Sequence, residues 1–212
     1  MIGFYNYTVI LTYMSLASSM LGIFFALGID GVGSNPRYAI ICLMVSGLFD
    51  MFDGKIARTR KRTEDEKNFG IQIDSLCDLV CFGVLPSVIG YAVGMRGPAD
   101  MIVLMAFPLC AVIRLAYFNV TEETRQKKTS ETRKEYEGLP VTSVALIIPL
   151  LYSFKNEIGN ENFPVVYGVF MIFIAIAFIT RFKMKKPDMK AMLCFIGIGA
   201  IELVWLLYKT KR

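Results

Sequence analysis

The feature that most constrains this 212-residue sequence is a series of apolar segments separated by short polar stretches. Each segment is close to the roughly twenty residues that a helix needs to cross the hydrocarbon core of a bilayer. None of the polar stretches is long enough to bury a core of its own. The sequence therefore predicts an all-α, polytopic transmembrane bundle that forms a single domain over residues 1–212. The predicted segments lie at roughly 5–28, 37–57, 70–95, 98–120, 139–155, 163–182 and 189–208.

The basic residues of the polar loops indicate how the bundle is oriented in the membrane. Lys and Arg concentrate in the loops after the second, fourth and sixth segments, and these loops share one side by parity. Because cytoplasmic loops are enriched in Lys and Arg, we expect that side to be cytoplasmic and the protein to lie in the plasma membrane. A net charge of +5 in such loops suits contact with anionic membrane lipids, and we expect no nucleic-acid partner.

The sequence contains no histidine. This absence excludes Ser-His-Asp triads, histidine-ligated zinc and phosphohistidine intermediates as the basis of any activity. Catalysis would have to use Asp, Glu, Lys, Arg, Tyr, Cys or Ser side chains.

Four aspartates lie inside the apolar segments, which makes them the most informative residues. Asp50 and Asp53 end the second segment, and Asp74 and Asp78 lie early in the third. Residues three or four apart share one face of a helix, so two antiparallel helices can direct all four carboxylates to one point near the cytoplasmic surface. Clustered carboxylates of low solvent access need neutralisation. Oxygen ligands favour Mg²⁺ or Mn²⁺, with Ca²⁺ as an alternative.

The sequence alone leaves two alternatives to metal binding for the aspartates. They could be helix-end charges paired with Arg58 and its basic neighbours, or they could line the path of a cation transporter. Pairing accounts for Asp53 with Arg58 but leaves three acids without partners. A transport path would be expected to spread its acids across the bilayer, whereas these lie near one surface.

Two small residues, Gly54 and Ala57, adjoin the aspartates about one helical turn apart. Small side chains beside a carboxylate cluster allow a bulky planar or phosphorylated ligand to approach the helix closely. Close helix packing of the small-xxx-small type is an alternative role for them.

Together these residues resemble the signature of the CDP-alcohol phosphotransferase family. The pattern is Asp-x-x-Asp-Gly-x-x-Ala-Arg followed by Gly-x-x-x-Asp-x-x-x-Asp. Its gap is longer here than is usual for the family, and we expect the extra residues to form a charged loop. The resemblance covers residues 5–182 and implies a six-helix core, with the last segment as an additional C-terminal helix. The eight matching residues are Asp50, Asp53, Gly54, Ala57, Arg58, Gly70, Asp74 and Asp78.

The flanking residues are similar to the phosphatidylserine synthase branch of that family. The similarity lies in the run from Asp74 to Pro86, in the Arg-Leu-Ala-Tyr-Phe-Asn sequence at 114–119, and in Glu-Gly-Leu-Pro at 137–140. Tyr117 stands where that branch usually has Arg. The branch implies transfer of a phosphatidyl or archaetidyl group from CDP-diacylglycerol or CDP-archaeol to L-serine. Inositol phosphate, glycerol phosphate and choline are alternative acceptors.

The resemblance also implies roles for individual residues. Asp50, Asp53 and Asp74 would hold two divalent cations, and Asp78 would share the second ion and act as general base. The CDP-lipid site would be lined by Asp53, Gly54, Ala57, Arg58 and Gly70. The family further implies a homodimer.

Serine needs partners for its carboxylate and its ammonium group. The sequence candidates are Arg114, Asn119, Glu137 and Thr142. For Arg114, an intramembrane pair with a metal-site aspartate is an equally good interpretation.

Overall fold

We describe the protein from a computed structural model, which covers residues 3–4, 6–29, 33–57, 59–128, 135–185 and 189–208. These residues form two short strands, Glu135–Glu137 (β1) and Lys183–Lys185 (β2), and nine α-helices. The helices are Ile10–Leu27 (α1), Pro36–Ala57 (α2), Glu64–Asp78 (α3), Leu85–Ala92 (α4), Pro98–Lys128 (α5), Val144–Ser153 (α6), Lys155–Ile158 (α7), Phe163–Ile179 (α8) and Met189–Tyr208 (α9).

The helices overlap all seven predicted apolar segments, although α5 continues past residue 120 to Lys128. Within the described residues, four continuous helical stretches are long and apolar enough to span a bilayer, namely Tyr7–Leu27, Glu64–Ala92, Pro98–Arg125 and Ala191–Tyr208. Helix α2 has 22 residues, a sufficient length, but it also carries the charged residues of the candidate site. Shorter apolar helices cover Val141–Ser153 and Phe163–Ile179. The prediction of an all-α polytopic membrane bundle is therefore confirmed.

Small and hydroxyl-bearing residues hold α1 against α2. Ser15 Oγ donates to the carbonyl of Ser46 at 3.1 Å, and Ser46 Oγ donates back to the carbonyl of Ser15 at 2.9 Å. A side chain at Gly22 would lie 2.9 Å from Cys42 Cβ, so the backbones can approach this closely only because residue 22 is glycine. Contacts of this kind are typical of helix association in membranes, where close packing replaces the hydrophobic effect. They fix the rotation of α2 and hence the direction of its aspartates.

Helix α3 begins earlier than the sequence pattern predicts. The charged stretch before Gly70 is predicted to be a loop, but the helix begins at Glu64. The reason is a capping box: Thr63 Oγ1 accepts from the Glu66 backbone N–H at 3.2 Å, and Glu66 accepts from the Thr63 N–H at 2.9 Å. Six of the eleven residues between Arg58 and Gly70 are therefore helical, and the spacing from Gly70 to Asp78 lies within the same helix.

A π-helical turn, Leu79–Val84, follows directly after Asp78 and joins α3 to α4 without a break. Pro86 follows it and has no N–H to continue the regular α-helical pattern. At Gly83 an added Cβ would lie 3.2 Å from Ala111 Cβ, so this turn packs tightly on α5. Short π segments of this kind occur frequently at functional sites.

The core of the bundle lies between α4, α5 and α8. Phe82, Phe107 and Tyr167 are fully buried, and the rings of Phe107 and Phe178 are 5.5 Å apart. Tyr167 donates its hydroxyl hydrogen to the carbonyl of Pro86 at 2.9 Å, which satisfies its one polar atom. This core supports the helix that carries Asp74 and Asp78.

Strands β1 and β2 form a small antiparallel pair, with Glu135 opposite Lys185 and Glu137 opposite Lys183. The pairing brings together two of the basic loops that were predicted to share one side of the membrane. Gly138, with φ of +77°, then turns the chain beneath the end of α8, where its N–H donates to the carbonyl of Phe182 at 2.7 Å. The strands therefore hold the start of the α6 region in a defined position.

Helix α9 packs on α2 and α6 at the outside of the bundle, and only 11% of its most apolar stretch is buried. Glu202 is an exception, since it is 6% exposed. Neither of its carboxylate oxygens has a hydrogen-bond partner among the described residues. An unpartnered buried carboxyl group weakens the contact of a helix with its neighbours. Helix α9 also buries a smaller share of its most apolar stretch than the other three spanning stretches of the described residues.

Candidate functional site

Three of the four aspartates converge as the sequence predicts. One carboxylate oxygen from each of Asp50, Asp74 and Asp78 lies within 4.8 Å of the other two. Asp50 comes from α2 and the other two from α3, so the site forms where these helices meet. The spacing of three and four residues has the expected effect of directing the carboxylates to one side of each helix.

Asp53 adjoins the cluster from α2. It lies against Asp74 and is 9% exposed. Its Oδ2 accepts a hydrogen bond from Thr12 Oγ1 of α1 at 3.1 Å. The contact between α1 and α2 therefore extends into the site and fixes this carboxylate.

The donor set fits a divalent cation. Asp74 Oδ1 is buried and has no hydrogen-bond partner among the described residues. In that part of the chain, no Lys or Arg forms an ion pair with any of the four aspartates, and the ion pairs found there join other residues. Crowded carboxylates without cationic partners are unfavourable unless a bound cation neutralises them. An all-oxygen set of this kind suits Mg²⁺, Mn²⁺ or Ca²⁺.

The other residues of the signature surround the cluster on α2 and α3. Gly54 is exposed, and an added Cβ there would meet no atom within 4 Å. The glycine therefore leaves open space beside α2 and does not take part in helix packing. Ala57 is the last residue of α2 and is partly exposed. Gly70 lies one turn before Asp74 in α3 and faces the guanidinium of Arg62, 3.2 Å from an added Cβ. Arg58, a predicted ligand of the CDP group, lies outside the described residues.

An apolar groove of about 1280 Å³ leads away from Asp50 and Gly54 between α2, α6 and α9. We call it the lipid-facing groove. Thr142 and Lys55 line it at the end near the aspartates. Its remaining wall is mostly aliphatic and aromatic, and it includes Ile41, Met44, Leu48, Leu146, Phe195, Gly199, Ala200 and Leu203.

The four candidates for binding serine contact two different parts of the bundle. Asn119 of α5 donates from Nδ2 to Ser75 Oγ at 2.8 Å, and Ser75 directly follows Asp74. Arg114 is 6% exposed and donates from Nε to the carbonyl of Leu139 at 3.1 Å. Asn119 therefore contacts α3, the helix that carries Asp74 and Asp78, and Arg114 holds the segment that leads to Pro140.

Glu137 and Thr142 flank that segment. Glu137 accepts a hydrogen bond from the Tyr117 hydroxyl at 2.7 Å. Thr142 belongs to the 3-10 turn Val141–Ser143 and faces the lipid-facing groove. Because Tyr117 stands where Arg is usual, this contact shows how the substituted position is used here.

Sequence reasoning missed three residues that the structure adds to the site. Thr12 contacts Asp53, Ser75 contacts Asn119, and Lys55 lines the groove beside Gly54. Thr12 belongs to a stripe of small and hydroxyl residues with Ser15 on one face of α1. That stripe was the available signal, because membrane helices pack through such faces.

Comparison with known proteins gives a consistent result. The model of the CDP-alcohol phosphatidyltransferase family matches residues 5–182. The chain is 38% identical over 140 residues to a CDP-diacylglycerol–serine O-phosphatidyltransferase of Saccharomyces cerevisiae, covering 64% of this chain and 49% of the relative. It is 31% identical over 181 residues to the protein of the same name from Helicobacter pylori, covering 79% and 70%.

An archaeal relative belongs to the same group. An archaetidylserine synthase of Methanothermobacter thermautotrophicus is 32% identical over 167 residues, covering 77% of this chain and 65% of the relative. The chain thus spans about half the length of the yeast relative and larger shares of the bacterial and archaeal ones.

Proposed function

Because the chain belongs to the CDP-alcohol phosphatidyltransferase family, we propose that it transfers a phosphatidyl or archaetidyl group from a CDP-activated lipid to the hydroxyl of L-serine and releases CMP. The observation that carries the proposal is the convergence of Asp50, Asp74 and Asp78 within 4.8 Å, since these are residues of the family signature. The choice of serine is supported by the names of the relatives from yeast, bacteria and an archaeon.

The reaction requires the serine oxygen to attack the phosphorus that carries the lipid. A phosphorus–oxygen bond forms to serine, the bond to CMP breaks, and the hydroxyl proton is transferred to a base. Asp78 is the proposed base, because it belongs to the carboxylate cluster and lies at the start of the π-helical turn. A carboxylate can accept this proton late, as the new bond forms.

Asp50, Asp53, Asp74 and Asp78 would hold one or two divalent cations. When bound, such cations neutralise the diphosphate and stabilise charge on the attacking and leaving oxygens. Thr12 orients Asp53 through its hydrogen bond.

The CDP group would lie over Gly54 and Ala57, where α2 presents no large side chain. Lys55 lines the groove close to this point and is complementary to diphosphate. Arg58 and Gly70 complete the proposed CDP site.

Asn119 is the best placed of the proposed serine ligands. Its contact with Ser75 joins it to α3, the helix that carries Asp74 and Asp78. Arg114, Glu137 and Thr142 remain proposals for the carboxylate and ammonium groups of serine.

In this proposal the site would lie at the cytoplasmic surface of the plasma membrane, which is supported by the enrichment of Lys and Arg in cytoplasmic loops. Nucleotide and serine would then arrive from water and the lipid from the bilayer. A homodimer remains a prediction from the family, which cross-linking in membranes would test.

The direct test is an assay of the purified chain with CDP-diacylglycerol or CDP-archaeol, labelled serine and Mg²⁺ or Mn²⁺. We expect CMP release that depends on serine, on the metal and on the CDP-lipid, together with a labelled lipid product. Release only with inositol phosphate, glycerol phosphate or choline would assign a different acceptor. Absence of release with every acceptor would contradict the enzymatic function and favour a cation transporter.

The open space over Gly54 gives a prediction for nucleotide binding. Gly54→Leu should lower kcat/KM for the CDP-lipid by about tenfold or more, because the new side chain occupies the space proposed for the CDP group. The folded protein should not be destabilised, since leucine is the better helix former and meets no neighbour at this position.

Gly197→Leu is the matched control for that variant. Gly197 is also an exposed helical glycine with open space around it, and it lies in α9 away from the aspartates. Both variants should keep the unfolding midpoint of the wild type, and only Gly54→Leu should lose activity. Equal activity of the two variants would exclude the proposed position of the CDP group.

A further inference from the structure

We propose that α9 forms the specificity wall for one hydrocarbon chain of the CDP-lipid, which lies in the lipid-facing groove during transfer. This inference rests on the proposed function and extends it to the part of the donor that the signature residues do not contact. It concerns residues outside the family match, which ends at residue 182.

The groove is continuous with the candidate site. Asp50 belongs both to the carboxylate cluster and to the groove lining, and Gly54 and Lys55 line the same end. A diphosphate held over Gly54 would therefore stand at the mouth of the groove. The lipid attached to that diphosphate has an apolar channel directly beside it.

The shape of the groove suits a hydrocarbon chain. Along α2 its lining runs from Gly54 to Ile41, about 20 Å at 1.5 Å per residue. This length exceeds half of the hydrocarbon core, about 15 Å. The volume of about 1280 Å³ is larger than the roughly 300–1,000 Å³ that holds a compact drug-sized ligand. A hydrocarbon chain of a lipid fits within this length and volume.

The chemistry of the walls changes along the groove. Beyond the mouth, the walls contributed by α2, α6 and α9 are apolar, as the hydrocarbon of a lipid requires. The charged groups, Asp50 and Lys55, are confined to the mouth. The charged mouth therefore matches the CDP end of the lipid, and the apolar walls beyond it match the hydrocarbon end.

The contribution of α9 follows from its small residues. Gly199 and Ala200 line the groove opposite Leu146 of α6, and an added Cβ at residue 199 would lie 3.5 Å from Leu146 Cδ2. At residue 199 that distance is ordinary van der Waals contact, so α9 packs on α6 there, and a leucine at this position would press on Leu146 in the groove wall. Gly199 lies about 12 Å along α9 beyond Ala191 at the mouth, so only a long chain would reach it.

The small buried share of α9 suits this role. Its contacts are with α2 and α6, and the buried Glu202 has no partner in the described part of the chain. A wall that packs weakly can separate from α2 and admit a lipid sideways from the bilayer, whereas a fully packed helix would not.

The test compares CDP-dioctanoylglycerol with CDP-dipalmitoylglycerol in Gly199→Leu and Gly197→Leu proteins held in lipid nanodiscs. Gly199→Leu should lower kcat/KM for the dipalmitoyl donor about tenfold or more. The same substitution should change kcat/KM for the dioctanoyl donor by less than about twofold. Gly197→Leu, whose new side chain is directed away from the groove into open space, should change neither value.

Donor affinity, measured by titration without serine, gives a second readout that does not require turnover. Gly199→Leu should weaken binding of the dipalmitoyl donor selectively. An equal loss of affinity for both donors, or no loss for either, would overturn the role of α9. The role would also be overturned if the donors displaced bulk membrane lipid from the groove but Gly199→Leu left the selectivity between the two donors unchanged. If the wild type released no CMP in response to serine with either donor, the proposed function would be refuted. The titration of donor binding would still decide the role of α9.

Discussion

Asp78→Asn is expected to lower serine-dependent CMP release by at least about a hundredfold while binding of the CDP-lipid persists. A general base typically contributes 10²–10⁴-fold to a rate, and asparagine cannot accept the proton. The substitution keeps the size of the side chain, so the packing of α3 on α1 should be preserved. Gly54, Lys55 and the lipid-facing groove, which are proposed to bind the donor, are unchanged.

The measurement needs both turnover and binding for the same protein. Single-turnover CMP release gives the chemical step, and a CDP-lipid-dependent rise in the unfolding midpoint reports binding. Asp65→Asn is the matched control, since Asp65 is an exposed acid in the first turn of the same helix. Activity of Asp78→Asn within a few-fold of the control would mean that another group accepts the proton. Loss of donor binding would show that Asp78 acts mainly by holding the diphosphate site together.

The sequence predicts the membrane helices well because each is encoded locally. An apolar run of about twenty residues is sufficient to identify a spanning helix. The start of α3 was missed because the charged residues before Gly70 suggested a loop, whereas the Thr63–Glu66 capping box begins a helix there. The π-helical turn after Asp78 was missed for a different reason. It depends on packing against α5 at Gly83, which no local pattern contains.

The candidate site shows the same division. The aspartate cluster could be predicted because spacings of three and four residues fix a helix face. The hydrogen bond from Thr12 to Asp53 joins residues 41 positions apart and requires the α1–α2 packing to be known. The lipid-facing groove could not be predicted, because its third wall comes from α9. For Arg114 the sequence left two interpretations open, and its hydrogen bond to the Leu139 carbonyl is a third contact that neither interpretation included.

Asp74→Asn is expected to remove the metal-dependent stabilisation of the protein together with its activity. Asp74 Oδ1 is buried and lacks a partner among the described residues, so it is the oxygen with most to gain from a bound cation. A ligand present at a hundred times its Kd stabilises the folded state by about 2.7 kcal/mol. Wild-type protein should therefore unfold at a higher temperature in Mg²⁺ or Mn²⁺ than after chelation, and the variant should show little of this difference.

The same substitution should act in the opposite direction when metal is absent. Replacing one of several crowded carboxylates by a neutral amide relieves like-charge repulsion, so chelated Asp74→Asn should unfold at or above the temperature of chelated wild type. A merely structural aspartate would give the reverse result, since its loss would destabilise the protein with or without metal. The comparison, with Asp65→Asn as control, thus separates a metal ligand from a packing residue without depending on activity. A full metal response in Asp74→Asn would assign the cation to the remaining carboxylates, and no response in the wild type would exclude metal binding at this cluster.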